Sequence, residues 1–214
     1  MPKHVSASSF VYSQVKELII AGELPCGELT SEGALASLFG TSRTPVREAF
    51  LRLQTEGWMT LYPKRGAVVN PIAHGEDLHV AESRLLVETR CIRSFISNVH
   101  YREAAAAELR TSLTRQRALA LEDGQESFSA EDAHFHAIFV TYGGNPLLSD
   151  FYAGLRDRQR RMSTSSVTRD PLPADRIIAD HAELIDCLAS GDAAQVCRLL
   201  EAHLQVVHFP RRNR

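Results

Sequence analysis

A change of pattern near residue 70 is the feature that most limits how this sequence can fold. Before it, three stretches with helical spacing are followed by two β-prone runs, at residues 58–61 and 67–69, which flank a Pro-Lys-Arg-Gly turn. After it, every stretch has helical periodicity. The sequence therefore predicts a mainly α protein with an N-terminal winged helix-turn-helix domain at residues 1–70, a linker at 71–75 and a C-terminal all-α helical bundle at 76–214.

The three helices before the β-prone runs are short and have recognisable ends. The first is predicted at residues 8–21, where apolar side chains recur at helical spacing. The second begins at Thr30 or Ser31, because either side chain can cap it. The third begins after Ser42, another capping candidate, and ends at Gly57. Three helices followed by a hairpin are typical of a winged helix.

The part after the linker contains six stretches with helical spacing, separated by glycine and proline breaks. Short connections favour neighbouring antiparallel helices, so the sequence predicts a bundle. The predicted helices span residues 76–100, 102–121, 127–142, 146–163, 175–189 and 193–209.

Composition excludes several classes of protein. Hydrophobic residues make up 44% of the chain and charged residues 23%, which is ordinary globular usage. There is no apolar run of about 18 residues and no signal-peptide pattern at the N-terminus, so we expect a cytoplasmic protein without a membrane partner. The four cysteines are far apart and form no CxxC pair, which argues against a thiolate zinc cluster and a disulfide framework.

The formal net charge of −2 divides into +1 for residues 1–75 and −3 for the remainder. This asymmetry is too small to identify a nucleic-acid partner, because like charges must also cluster on one face. The choice of partner therefore depends on the motifs.

Polar residues at the start of the third predicted helix lie where a recognition helix meets the major groove of DNA. These residues are Arg43, Thr44 and Arg47. Arginine can bind guanine with two hydrogen bonds, and threonine suits a phosphate or a thymine methyl group. In the hairpin turn, Lys64 and Arg65 can reach the flanking minor groove or backbone. On spacing alone, the two helix arginines can equally be solvated surface residues.

The segments TSEGALASLFG, SRTPVREAF and RLQTEG resemble the DNA-binding domain of GntR-type bacterial transcription regulators over about residues 9–70. The resemblance implies contacts with operator DNA from Arg43, Thr44, Arg47 and Gly66. Many members have a contacting residue such as arginine where this chain has Gly33, so that contact is expected to be missing. A glycine within a helix also costs about 1 kcal/mol relative to alanine. Arg52, further along the helix, is expected to meet a phosphate or a carboxylate.

Carboxylate and imidazole side chains in the second part have the spacing of metal ligands. Asp132 and His136 are four residues apart, so they lie on one helix face and can bind the same ion. His181 and His203 follow on later helices, whereas His134 points elsewhere. Three imidazoles and a carboxylate suit zinc first, with nickel, manganese or iron as alternatives. Separate histidines, each satisfied by hydrogen bonds, are the competing interpretation.

The patterns D-x-x-FH and H-x-x-LI-x-x-L-x-x-GD, followed by a histidine near the C-terminus, resemble the FCD ligand-binding domain of the FadR branch of GntR regulators. The resemblance covers about residues 76–207, and six helices are similar to its shorter VanR-type subgroup. It implies that one divalent metal ion is held by Asp132, His136, His181 and His203.

The first bundle helix matches the E-x-R-x-x-x-E pattern of the same family through Glu82, Arg84 and Glu88. In several members the matching arginine faces the effector pocket. A guanidinium near a metal suits a small organic acid, because the carboxylate can bind the ion and accept hydrogen bonds from arginine. An ion pair between Arg84 and Glu88 on the same helix is the alternative.

The sequence therefore predicts a transcription regulator, not an enzyme. It is expected to bind a palindromic operator of double-stranded DNA as a homodimer and to respond to a small organic acid effector. A metal-dependent hydrolase that activates water at the Asp/His cluster is the rival hypothesis, although no general base stands in a catalytic motif. A purely structural metal is a third possibility.

Overall fold

The computed structural model describes residues 6–121, 125–165 and 174–208. The chain divides into two compact units, the first ending at Ala73 and the second beginning at His74. The predicted fold class is confirmed, with a small sheet among the helices of the first unit and a helical second unit.

From residue 6 onward, where the structure describes it, the first unit contains three helices and a three-stranded antiparallel sheet in which β3 lies between β1 and β2. Strand β1 was not predicted, because two residues are too few to show an alternating pattern. The helices are α1 (Ala7–Ala21), α2 (Glu32–Leu38) and α3 (Arg43–Thr55), and the strands are β1 (Leu29–Thr30), β2 (Met59–Tyr62) and β3 (Gly66–Val69).

The capping residues of α2 and α3 behave differently. The side chain of Ser31 accepts a hydrogen bond from the backbone N–H of Ala34 at 3.1 Å, so it caps α2 as expected. Ser42 occupies the corresponding position before α3, but its side chain makes no capping hydrogen bond. Gly57 follows α3 with a φ of 82°, a left-handed conformation that glycine adopts easily. Ser42 therefore lies at the predicted start of α3, but the predicted capping hydrogen bond from its side chain is absent.

The core of the first unit lies between α1, α3 and the sheet. Val11, Val15 and Ile19 recur at intervals of four residues on α1 and are buried. They belong to the same apolar cluster as Phe50 of α3 and Trp58. Fully burying an aliphatic or aromatic side chain of this size contributes about 1.5 to 3 kcal/mol, so this cluster supplies the main stabilisation of the unit.

The second unit contains six helices within the described residues, matching the predicted number. The first is shorter than predicted because Asn98 starts a new helix, its side chain accepting a hydrogen bond from the backbone N–H of Tyr101. The predicted end of the last helix, at residue 209, lies outside the described residues. The helices are α4 (Glu76–Phe95), α5 (Val99–Leu119), α6 (Gln125–Tyr142), α7 (Pro146–Ser165), α8 (Ala174–Ser190) and α9 (Ala193–His208).

The core of the second unit lies where α4, α5, α6, α8 and α9 pack together. Ile92, Leu109, Phe135, Leu184 and Leu200 are completely buried or nearly so. This apolar packing surrounds the polar cluster described below. None of the helices in the described part of the chain combines the length and the apolar character needed to cross a bilayer.

A polar network in the first unit ties α1 to the end of α3. The Glu56 carboxylate accepts hydrogen bonds from the Tyr12 hydroxyl at 2.7 and 2.8 Å, from Lys16 Nζ at 3.1 Å and from Arg52 Nε at 3.1 Å. The Arg52 guanidinium also lies over the Tyr12 ring, 3.6 Å from its centroid. Of the two predicted partners of Arg52, the structure therefore provides the carboxylate.

Burial alone would raise the pKa of the Glu56 carboxyl, but the hydrogen bonds from Tyr12 and Lys16 outweigh it and lower this pKa. Because the folded state binds the proton less readily than the unfolded state, Glu56 stabilises the fold at neutral pH. This contribution is present above the unfolded pKa and is lost as the pH falls through the lowered pKa of the folded state.

We expect Glu56→Gln to lower the free energy of unfolding of the first unit by about 1 kcal/mol at pH 7, since a partly exposed charged acceptor is lost. The difference from the unsubstituted protein should shrink as the pH falls through the lowered pKa of Glu56 in the folded state. Trp58, the single tryptophan and buried in this unit, reports the transition by fluorescence during urea unfolding of the full chain. Glu48→Gln, at an exposed position of α3, is the matched control; an equal loss there would contradict the assignment.

Candidate DNA-binding surface and candidate metal centre

The residues predicted to read DNA lie together on the exposed first turns of α3. Arg43, Thr44 and Arg47 are all exposed, and the Arg47 side chain retains 72% of its accessible surface. The Arg43 guanidinium lies beside Gly33 of α2, with Nη2 3.5 Å from the position that a Cβ atom would occupy there. The first turns of α3 thus present two cationic side chains to solvent beside α2, an arrangement that suits a recognition helix.

The turn between β2 and β3 carries the second cationic group. Lys64 and Arg65 are exposed, and the Arg65 N–H donates to the Tyr62 carbonyl at 3.0 Å. Lys64 has a φ of 61°, a left-handed conformation that a non-glycine residue rarely adopts. A strained lysine at the tip of a hairpin is consistent with a functional position.

Gly66 has a structural reason to be glycine. Its φ is 125°, and a Cβ atom at this position would lie 2.1 Å from the Thr30 carbonyl oxygen. Residue 66 therefore permits β3 to pass close to the end of β1. The operator contact that the resemblance implies for Gly66 stays a prediction, and the close approach explains the residue without it.

The structure brings together all four predicted metal ligands in the core of the second unit. One ligand atom from each residue lies within 4.8 Å of the others, and all four residues are buried. His181 Nε2 is 3.3 Å from His203 Nε2 and 3.6 Å from Asp132 Oδ1. His136 Nε2 is 4.0 Å from the same carboxylate oxygen. His134 is not part of this group, as expected.

These distances fit a metal ion. Ligand atoms about 2.1 Å from a shared ion are separated from one another by about 3.0 to 4.2 Å in tetrahedral or octahedral geometry. The measured separations between ligand atoms cover this range, so a small inward movement of the outermost pair completes the coordination. Three imidazole nitrogens and one carboxylate oxygen can therefore hold a divalent cation, with positions left for water or a ligand.

Hydrogen bonds on the outer side of each histidine fix its orientation. His136 Nδ1 is 2.7 Å from Glu88 Oε2, and His181 Nδ1 is 2.8 Å from Gln116 Oε1. His203 Nδ1 is 3.2 Å from Asp180 Oδ2. An acceptor beside each Nδ1 favours the proton there and leaves the lone pair on Nε2, the atom that faces the cluster.

The electrostatics of the cluster also favour a bound cation. Burial lowers the pKa of His181 well below its usual value, and the neighbouring His203 and His136 lower it further, so the ring stays neutral. Burial raises the pKa of the Asp132 carboxyl, although Gln159 Nε2 donates a hydrogen bond to Oδ2 at 2.7 Å. A divalent ion can therefore bind His181 without displacing a proton from it, and it competes with a proton for the Asp132 carboxyl.

Arg84 lies beside this cluster in a buried network. Its Nε donates to Glu88 Oε1 at 3.0 Å and to the Tyr152 hydroxyl at 3.3 Å. Burial alone would lower the pKa of Arg84, but Tyr152 and Glu88 outweigh burial and raise it, so the guanidinium is charged. The ion pair with Glu88 that the sequence left open is therefore present. Contact between Arg84 and an effector stays a prediction.

Several polar atoms around the cluster are available to a small ligand or to water. Among the described residues, Gln116 Nε2, Gln159 Oε1 and the Ser129 hydroxyl are buried and have no hydrogen-bond partner. Leaving such a group unsatisfied costs about 1 to 3 kcal/mol, so a polar occupant is favoured near them. The two glutamines already contact metal ligands through their other amide atoms.

Four residues of the site were not predicted from the sequence: Tyr152, Gln116, Gln159 and Asp180. Their helices carry no motif that marks them, because which residues face one another across a bundle depends on the register of packed helices. Glu88 did have a signal, since it lies one helical turn after Arg84 and was named as its partner.

A winged helix-turn-helix with exposed cationic side chains and a helical unit with a buried ligand cluster define a DNA-binding regulator with a sensor domain. Comparison with known families agrees with this class. Residues 79–206 match the FCD domain, and residues 7–69 match the family described as bacterial regulatory proteins, gntR family. The chain belongs to the GntR family of bacterial transcription regulators and carries an FCD domain.

Relatives have corresponding descriptions. The chain is 29% identical over 200 residues to an uncharacterized HTH-type transcriptional regulator of Streptomyces ambofaciens, covering 92% of this chain and 81% of the relative. It is 28% identical over 201 residues to the HTH-type transcriptional repressor RspR of Escherichia coli (strain K12), covering 92% and 85%. The structure of E. coli McbR/YncC has the same fold, with a TM-score of 0.79 at 21% identity and 94% coverage of both chains.

Family and relatives are transcription regulators, so the hydrolase hypothesis has no support, and the prediction that the protein is not an enzyme is confirmed. The assignment to the VanR-type subgroup stays a prediction.

Proposed function

We propose that this protein is a metal-containing repressor that binds a palindromic operator as a homodimer and responds to a small organic acid. The observation that carries this proposal is the convergence of four ligand atoms within 4.8 Å inside a domain whose family senses small molecules. The name of the E. coli relative, a transcriptional repressor, supports repression. The proposed location is the cytoplasm, where a bacterial operator is accessible.

The first unit supplies the operator contacts. Arg43, Thr44 and Arg47 enter the major groove at the start of α3, and the wing residues Lys64 and Arg65 contact the flanking backbone or minor groove. The exposure of all five side chains supports this assignment, because none is held in the core. Arginine contacts to guanine carry sequence information, whereas lysine contacts to phosphate do not.

The second unit supplies the sensor. Asp132, His136, His181 and His203 would hold the metal ion, and Arg84 would hold the anionic group of the effector. A bound divalent ion supplies a Lewis-acidic site for a carboxylate oxygen. Three nitrogen donors and one oxygen suit zinc first; nickel, manganese and iron accept the same set with more ligands. The charged, buried guanidinium adds directional hydrogen bonds that a carboxylate matches.

A second copy of the chain is the proposed partner of the exposed apolar residues on α4 and α7. Leu86 retains 72% of its accessible surface, Leu147 77% and Phe151 56%. Large apolar side chains at this exposure on two neighbouring helices favour burial against another protein surface. A dimer also explains how short half-sites achieve specificity, since two linked units raise the effective concentration of the second.

Substitutions in the first unit should separate base contacts from phosphate contacts. Arg43→Ala should cost about 1 to 3 kcal/mol on the cognate operator and less on random DNA, because a base contact is lost. Lys64→Gly keeps the left-handed turn and should weaken binding to both DNAs equally, with a shallower salt dependence. Fluorescence anisotropy across a salt series measures both. Equal losses for Arg43→Ala on the two DNAs would reassign it to phosphate.

Sedimentation equilibrium should show a dimer at micromolar concentration. Leu86→Glu combined with Phe151→Glu places charges on the proposed interface and should shift the protein toward monomer without unfolding it, because both positions are exposed. Leu121→Glu is the control, since Leu121 is 90% exposed at the end of α5. A monomeric unsubstituted protein, both free and on operator DNA, would contradict the dimer.

The metal and the anion should be separable by substitution. Protein purified without chelator is expected to contain one divalent ion per chain by elemental analysis, and His136→Ala should lower this content strongly. His134→Ala, a histidine on the same helix outside the cluster, should leave it unchanged. Arg84→Lys keeps the buried charge but loses the planar fork, so it should weaken carboxylates in calorimetry without removing metal. Absence of binding after resupply with zinc, nickel, manganese and iron would refute the metal site.

A further inference from the structure

Glu88 connects the candidate metal centre to Arg84. It is completely buried. Its Oε1 accepts hydrogen bonds from Arg84 Nε at 3.0 Å and from the Tyr152 hydroxyl at 2.6 Å, and its Oε2 lies 2.7 Å from His136 Nδ1. We propose that Glu88 is a positioning residue: beside Arg84, its Oε2 holds the His136 proton on Nδ1 and so leaves the Nε2 lone pair for a metal ion. This inference rests on the proposed metal site.

The hydrogen-bond donors around Glu88 determine which nitrogen of His136 carries the proton. An arginine N–H can only donate a hydrogen bond, and an ionised carboxylate can only accept one. With Oε1 occupied by Arg84 and Tyr152, Oε2 is the acceptor that faces His136. With Glu88 ionised beside the Arg84 guanidinium, Nδ1 carries the proton and Nε2 keeps its lone pair. Asp132 Oδ1 is 4.0 Å from Nε2, too far to accept a hydrogen bond from it.

Replacing Glu88 with glutamine should reverse the position of the proton. An amide has one acceptor oxygen and one donor NH₂ group. The Arg84 N–H requires the oxygen, so the NH₂ group turns toward His136 Nδ1. A ring nitrogen that accepts a hydrogen bond has no proton, and the proton of the neutral ring then resides on Nε2. His136 in this form has no lone pair toward the metal.

Removing the arginine together with the carboxylate should restore the original form. In Arg84→Met with Glu88→Gln, no guanidinium donates a hydrogen bond to the glutamine amide oxygen at position 88. The oxygen can then face His136 Nδ1 while the NH₂ group donates to the Tyr152 hydroxyl, which can accept as well as donate. The double substitution also removes both charges of the Arg84–Glu88 ion pair, so neither partner is left buried without the other. A structural role for Glu88 alone does not predict this recovery.

Two measurements on the full chain test the inference. Nitrogen-15 NMR of the histidine rings in metal-free protein identifies which nitrogen carries the proton, with the His136 signals assigned by their loss in His136→Asn. Competition with a chromophoric chelator gives the dissociation constant for Zn²⁺. We expect the Nδ1–H form in the unsubstituted protein. Glu88→Gln should give the Nε2–H form and bind Zn²⁺ about 10- to 100-fold more weakly. The double variant should return to the Nδ1–H form and bind more tightly than Glu88→Gln.

Glu131→Gln is the matched control, because it makes the same change on α6 where the carboxylate faces the Ser112 hydroxyl and not a ligand. It should change neither measurement. An Nε2–H form of His136 in the unsubstituted protein overturns the inference, as does an Nε2–H form in the double variant. If Glu88→Gln does not fold, the position of the His136 proton in the double variant and in the unsubstituted protein still tests the inference. If the unsubstituted protein binds no metal, the proposed site fails, while the NMR result still tests Glu88.

Discussion

The burial of ionisable groups in an apolar bundle is the constraint on which the second unit depends. A buried polar group without a partner costs about 1 to 3 kcal/mol, so each ligand of the cluster needs an orienting contact. Those contacts come from every helix of the unit: a misplacement of any one helix leaves a buried group unsatisfied. The contributing residues are Glu88 of α4, Gln116 of α5, Asp132 and His136 of α6, Gln159 of α7, Asp180 and His181 of α8, and His203 of α9.

The first unit has the opposite requirement, because the side chains proposed to contact DNA must stay exposed to solvent. Its stability comes from the apolar cluster and from the partly exposed Glu56 network. None of the side chains proposed to contact DNA belongs to this network. Two backbone features shape the wing. Gly66 permits the close approach to Thr30, and Lys64 adopts a left-handed turn. Scaffold and contact surface are therefore separate in this unit and combined in the other.

Interactions within one helix could be predicted from the sequence, whereas contacts between residues far apart in the chain mostly could not. Spacing within one helix placed Asp132 and His136 on a common face, and family resemblance supplied His181 and His203, which lie far away in the chain but close in space. Spacing could not supply Gln116, because its contact with His181 depends on how two helices pack. Short elements without a composition signal were also missed, such as strand β1 and the helix start at Asn98.

The charges in the buried network favour the proposed class of effector. Metal binding requires neutral imidazoles and ionised carboxylates. In that state the carboxylates of Asp132 and Glu88 exceed the guanidinium of Arg84 by one negative charge. A divalent cation changes this balance to one excess positive charge. An uncompensated charge is costly in an apolar interior, so a ligand with a single carboxylate is stabilised there more than a neutral molecule of similar size. In the proposed function, a bound metal ion would therefore favour an anionic ligand, and the Arg84 guanidinium would orient the carboxylate of that ligand.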